Sequence, residues 1–261
     1  MKRRWTTAEL KDFLDEKVER YNRPDFIPDD PVSVPHRFSK LQDIEIAGLF
    51  AAVFSWGQRV TILRKSNELM DLMEHAPHEF ILHHTARDLK RLLHFRHRTF
   101  QATDLLYFID FLQRVYRKHR SLETAFTRHL GADDPDVTGA LNGFYDDFCA
   151  APHFPQRTKK HISSPQRKST CKRMNMYLRW MVRRDGAGVD FGLWKGIRPD
   201  QLVIPLDLHV GRVASRLRLL DGKAPDWGRA LALTSELRKL DPADPVKYDF
   251  ALFSLGIYEK F

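Results

Sequence analysis

Apolar residues recur at helical spacing along most of this chain, and few stretches alternate with a period of two. The segment LKDFLDEKVERY near the N-terminus carries the first such pattern and runs into the proline-rich NRPDFIPDDPVSVPHRF, which stops it. Residues 44–73, IEIAGLFAAVFSWGQRVTILRKSNELMDLM, predict two helices broken around Ser55-Trp56-Gly57-Gln58. Further helices are expected over 86–93, 103–118, 122–129 and 137–150, with a loop over 151–164. An apolar helix is expected over 172–183, then a glycine-rich connection, a helix after Asp207, and two more over 227–240 and 245–258. No internal repeat is visible, and the expected fold class is all-α.

One acid interrupts an apolar run. In IPLDLHVGRVASRL, Pro205 ends any regular structure, Val210, Val213, Ala214 and Leu217 then repeat at helical spacing, and Asp207 stands between. Asp207 reads as a helix N-cap, its oxygen accepting from amides of the first turn. Whether it also does chemistry depends on what the rest of the chain brings to it.

Composition narrows the classes of function. The 261 residues can bury a sizeable core, and 43% hydrophobic with 30% charged residues is ordinary for a globular protein. No apolar run approaches transmembrane length and the first residues lack the apolar core of a signal peptide, so no membrane partner and a cytoplasmic, nucleoid-associated location are expected. Cys149 and Cys171 have no CxxC spacing, which excludes a disulfide framework and a four-cysteine metal or iron–sulfur site. The net charge of +9 sits in one place: residues 157–184 hold ten Lys or Arg and no Asp or Glu, leaving 33 basic against 34 acidic residues elsewhere. Such a block is either a solvated face or a polyanion-binding surface, and its concentration and interleaved aromatic residues favour nucleic acid.

Within that block, CKRMNMYLRWMVRR contains a candidate nucleophile. Ser169 or Thr170 can cap the helix, placing Lys172 in its first turn, where the dipole and neighbouring Lys168, Arg173 and Arg179 disfavour a cation. A neutral lysine can attack the anomeric carbon of a deoxynucleoside, expel the base and form a Schiff base with the sugar, provided a carboxylate stabilises the developing positive charge. Asp207 suits that second role. The alternative for Lys172 is a surface lysine touching phosphate.

KRMNMYL followed by IPLDLHVGRVASRLRLL resembles the lysine helix and aspartate segment of the helix-hairpin-helix DNA glycosylases, the superfamily of endonuclease III and the 8-oxoguanine glycosylases. The resemblance implies that Lys172 is the Schiff-base nucleophile and Asp207 its catalytic partner, with Asn175, His209 and Arg212 matching the rest of the pattern. A more local likeness is to an uncharacterised bacterial family sharing CKRxNxxLRWMVR and PLDxHV. GLFAAVFSWGQRVT resembles the helix pair that fills the gap left by an everted base, which nominates Gln58 and Trp56; the alternative for Gln58 is a simple helix connection. DFALFSLG resembles the helix whose phenylalanine packs on the flipped base, which nominates Phe253, otherwise a core aromatic. The hairpin of the superfamily carries a Gly-x-Gly turn, whereas PQRKST has no glycine, so Arg167, Lys168, Ser169, Arg173 and His209 are expected to contact the DNA backbone through charge and helix dipole.

The resemblance further implies two helical lobes with a helix-hairpin-helix-like element and a cleft between them: residues 44–188 as a central lobe including the lysine helix, and 1–43 plus 189–261 as a second lobe carrying Asp207. The expected function is a DNA repair glycosylase with AP lyase activity on an oxidised base, plausibly 8-oxoguanine, in damaged duplex DNA, acting as a monomer with no metal, organic or nucleotide cofactor. A non-catalytic nucleic-acid-binding protein on the same scaffold, or an RNA-directed role, are the alternatives. The pairs His75/His78, His83/His84 and His94/His97 have metal-compatible spacing but no carboxylate or cysteine completes a motif, so structural roles are expected for them, and no Walker loop is present.

Overall fold

The computed structural model describes residues 5–222 and 224–261. It is all-α: α1 (Thr7–Tyr21), α2 (Leu41–Phe54), α3 (Arg59–Leu72), α4 (Pro77–His83), α5 (Ala86–Arg91), α6 (Ala102–Tyr116), α7 (Thr124–Thr127), α8 (Thr138–Cys149), α9 (Lys172–Val182), α10 (Leu208–Arg216), α11 (Trp227–Arg238) and α12 (Tyr248–Ile257). Two short strands, β1 (Arg96–His97) and β2 (Phe100–Gln101), form an antiparallel pair. The proline-rich stretch after α1 becomes three 3-10 turns, because each proline fixes φ and withholds an amide. Most expected helices form within a few residues of their predicted ends. α4 has no counterpart among the expected helices, and the predicted loop over 151–164 contains a 3-10 turn at Gln156–Lys160. Among the described residues no helix is long and apolar enough to cross a membrane.

The chain divides into two compact units, and not where the sequence suggests. One, here the C-terminal unit, comprises the chain through Phe26, Asp133–Thr138 and Ser164–Phe261; the other, the central unit, comprises Ile27–Ala132 and Gly139–Ser163. The lysine helix α9 therefore belongs with Asp207, not with the central unit, and the boundary expected near 188 falls at 163/164. Asp133–Thr138 is tied to the C-terminal unit by backbone and side-chain bonds: the Val137 amide donates to the Gln201 carbonyl, and Gln201 Nε2 donates to the Asp134 carbonyl at 2.9 Å.

The central unit is built on clustered phenylalanines. Phe50, Phe54, Phe100 and Phe108 meet at centroid separations of 5.0–5.9 Å, and Phe126 stacks on Phe144 at 4.1 Å. Glu45 of α2 is fully buried there and accepts from Tyr116 Oη, Ser121 Oγ and the Leu122 amide, so its charge is met by donors. Between α2 and α3, Gly57 adopts φ +106°, a conformation that side-chain-bearing residues rarely take. That turn breaks the two helices at the predicted place.

The C-terminal unit packs α1 and α10 against α12. Trp180, Trp194, Tyr177 and Tyr248 are fully buried in it. Gly256 of α12 lets α10 approach closely: a Cβ there would meet His209 Cβ and Val213 Cγ2, each at 3.3 Å.

Candidate active site

Val203, Ile204 and Leu206 are buried, and the Ile204 amide donates to Thr234 Oγ1 of α11 at 3.0 Å. This apolar approach delivers Asp207 to the start of α10. Its two oxygens face different partners. Oδ1 accepts from the amides of His209 at 2.8 Å and Val210 at 2.9 Å, while Oδ2 lies 2.7 Å from Lys172 Nζ. Burial pushes the carboxyl up, but the Lys172 charge and hydrogen bond, with the Val210 amide, outweigh it and hold Asp207 below the usual carboxylate range. The pair is not sealed: the side chains remain 29% and 20% exposed, so a ligand can reach both.

Lys172 is the first residue of α9, as expected, but the helix is not capped as expected. Its N-cap is Cys171, which has φ +51° and makes no side-chain cap bond; Ser169 Oγ accepts from the Cys171 amide at 3.2 Å instead of reaching the first turn of the helix. The glycine-free turn PQRKST is formed by a 3-10 turn at Pro165–Arg167 followed by Lys168 at φ +57°. Lys168 and Cys171 thus adopt left-handed backbone conformations in which a non-glycine residue costs about 1–2 kcal/mol each. The expected hairpin has a regular α-helix on its C-terminal side, α9, and 3-10 turns before it.

Phe253 of α12 sits beside the lysine, its ring centroid 5.9 Å from Lys172 Nζ, and is partly exposed. The amine, the carboxylate and an aromatic face therefore converge. Of the expected backbone-contact residues, Arg167, Lys168 and His209 are exposed, Ser169 is half-buried, and Arg173 is also only partly exposed. Burial lowers the Arg173 guanidinium to about 10, which leaves it charged at neutral pH.

The basic block is divided between the two units. Arg157, Lys159 and Lys160 lie in the central unit, and the residues from Arg167 onward lie in the C-terminal unit. Several of its charges are neutralised by acids distant in sequence. Arg157 pairs with buried Asp104. Arg179 pairs with Asp249 and, at 3.3 Å, with Asp190; Arg183 contacts Asp185, Asp190 and Asp244 at 2.7–3.0 Å. Both guanidinium groups lie over the ring of Phe250, at 4.3 and 5.5 Å from its centroid. Arg179 and Arg183 are core residues, so the surface charge available to a polyanion is smaller than the ten cations imply.

Asp249, one turn before Phe253, is an acid that no local pattern in the sequence singles out. Burial drives its carboxyl up to about 6, opposed by Arg179 and Lys172 and reinforced by Asp207 and Asp190. It stands electrostatically behind the Lys172–Asp207 pair.

Gln58 and Trp56 lie in the central unit. Gln58 is exposed at the N-cap of α3, without a side-chain cap bond. Trp56 is half-buried, with the Arg98 guanidinium 4.6 Å above its ring and His97 packed edge-on at 5.8 Å. Histidines of the three spaced pairs are engaged singly: His97 Nε2 meets the Phe54 carbonyl, His84 Nδ1 the Phe80 carbonyl, and His75 lies beside Arg37 and Asp71. Among the described residues no three His, Cys, Asp or Glu side chains converge as a metal site would require.

Residues 30–258 match the model of a family described as a protein of unknown function, DUF2400, and the chain belongs to that family. Comparison with curated proteins and with solved structures returned no match.

Proposed function

We propose that this chain is a DNA glycosylase with AP lyase activity, acting on an oxidised base such as 8-oxoguanine in damaged duplex DNA. The observation that carries the reading is the 2.7 Å contact of Lys172 with Asp207 beside the partly exposed Phe253, formed by residues that are far apart in sequence. These residue types match the needs of the reaction.

The base is everted and its face packs on Phe253. Lys172, having released a proton to the solvent that reaches the pair, forms a bond from Nζ to the anomeric carbon as the glycosidic bond breaks. The base leaves with that electron pair and takes up a proton. Asp207, kept ionised by its donors, stabilises the positive charge that develops on the sugar. Opening of the sugar ring passes an amine proton to the ring oxygen and yields the Schiff base. Loss of a 2′ proton then expels the 3′ phosphate, which is the lyase step. No metal or organic cofactor takes part in these steps.

Arg167, Lys168 and His209 supply backbone contacts, Lys168 by presenting its side chain from a left-handed turn. The same exposed cations would also serve a protein that binds DNA or RNA without cutting it. Borohydride trapping separates the readings: the glycosylase forms a covalent adduct with at least one lesion-bearing or abasic strand, and a binding-only protein forms none on any of them.

A further inference from the structure

A second concavity opens one residue beyond Asp207 and uses neither Lys172 nor Asp207. It has a volume of about 720 Å³ and lies along one face of α10 and the chain between α10 and α11. Four arginines line it: Arg212 and Arg216 from α10, Arg218 just after it, and Arg229 from α11. Leu208 begins its apolar side and is 69% exposed, an unusual position for a leucine.

The charges in this pocket are not balanced. Only Arg229 is met by a carboxylate among the described residues, that of Asp221. Among the described residues, Arg212, Arg216 and Arg218 pair with no carboxylate, in contrast to Arg179 and Arg183 of the core. Arg218 also holds φ +61°, a left-handed conformation that costs a non-glycine residue energy and places this side chain at the pocket. Several like charges lining one concave wall repel one another and focus the field inside it, and an anion relieves both effects. Guanidinium forks match phosphate oxygens two at a time, whereas a carboxylate would satisfy fewer of the three that have no carboxylate partner. The leucine edge offers the surface that a sugar or base would cover.

We infer that this pocket is a binding site for a nucleotide phosphate monoester, separate from the Lys172 site and independent of the reading given to it. Two sources carry that group: a free mononucleotide, and the 5′-phosphorylated end of a DNA strand.

Titration of the full chain with deoxyguanosine monophosphate, with deoxyguanosine as the comparison, tests the first source. Paired oligonucleotides with and without a 5′ phosphate test the second. In at least one pair the phosphorylated member binds ten-fold or more tightly, and that advantage disappears in Arg216→Gln/Arg218→Gln. A preference confined to the mononucleotide identifies a free nucleotide; one shown by the oligonucleotides identifies a strand end. Both arginines are exposed, so the double variant should unfold at the same temperature as the wild type without ligand. If phosphorylated and unphosphorylated members bind alike in both pairs, or if the variant keeps the full preference, the inference is wrong. Neither readout involves a lesion or excision, so that failure leaves the glycosylase proposal where it stands.

Discussion

Lys172 Nζ and Asp207 Oδ2 are 2.7 Å apart although 35 positions separate the residues, and the other oxygen of the same carboxylate holds the first turn of α10 through two amides. The two readings of this acid, helix cap and chemical partner, are therefore not rivals. One oxygen caps the helix and the other meets the lysine, and the cap fixes the direction in which the second oxygen points.

Substitutions of Asp207 separate the two roles. Asp207→Asn keeps a side-chain acceptor for the α10 amides and should unfold near the wild-type temperature, while slowing base excision roughly 100-fold or more by removing the charge that stabilises the sugar cation. Asp207→Ala should lose excision as well and, in addition, about 1 kcal/mol of stability because the cap is gone. Single-turnover excision and thermal unfolding read these separately.

Lys172→Ala should abolish borohydride trapping and leave DNA affinity within a few-fold of wild type, because one phosphate interaction among many carries little of the binding energy. A gel of trapped adducts beside a binding titration checks both. Trapping that persists in the variant would assign the nucleophile elsewhere.

The division of the basic block into surface and core predicts two kinds of arginine variant. Arg167→Gln/Lys168→Gln, at exposed positions, should lower the slope of log affinity against log salt by about 0.9 for each phosphate that the variant no longer neutralises, with little change in stability. Arg183→Ala should destabilise the fold by about 3–5 kcal/mol, because it leaves the Asp244 carboxylate without its guanidinium and the buried Asp190 with Arg179 alone. Salt-dependent binding and denaturant unfolding give opposite patterns for the two.

Acid stability should report Asp104. Burial alone would raise this carboxyl, but His161, the Gln101 amide and Thr158 bring it down to about 2. A carboxyl with a lower value in the folded than in the unfolded state contributes stability above its unfolded value, near 4, and that contribution fades as pH falls towards 2. Wild-type protein should therefore lose about 2 kcal/mol more between pH 5 and pH 2 than Asp104→Asn, measured by urea unfolding across that range. Asp249 has the opposite sign: its raised value makes ionisation unfavourable in the fold, so its contribution declines as pH rises through about 6.

Much of this architecture is legible in the sequence because helical periodicity and the breaks at Pro and Gly are local signals. The paired helices around Gly57 and the start of α9 at Lys172 follow directly from them. The partners of Arg179 and Arg183 do not, since Asp190, Asp244 and Asp249 reach them only through tertiary packing. The division into units is hidden for the same reason: Asp133–Thr138 joins the C-terminal unit through Gln201, a link with no local trace. Lys168 is a different case. Left-handed backbone is read from glycine, and a lysine there gives no warning, so the regularity of its turn does not show in the residue types. Arg212, Arg216 and Arg218 lie close together along the chain, but their shared pocket depends on Arg229 from another helix.

The anchoring of α9 has a mechanical consequence. Its far end is clamped by two buried guanidinium groups, whereas its near end begins at a left-handed cysteine with no side-chain cap. The 11-residue helix, about 16 Å long, is held at that near end through the side chain of Lys172 on Asp207 and of Asn175 on the Thr170 carbonyl. In the reading proposed above, the amine is thus aimed from two directions, by Asp207 beside it and by the Arg179 and Arg183 clamps at the other end of its helix.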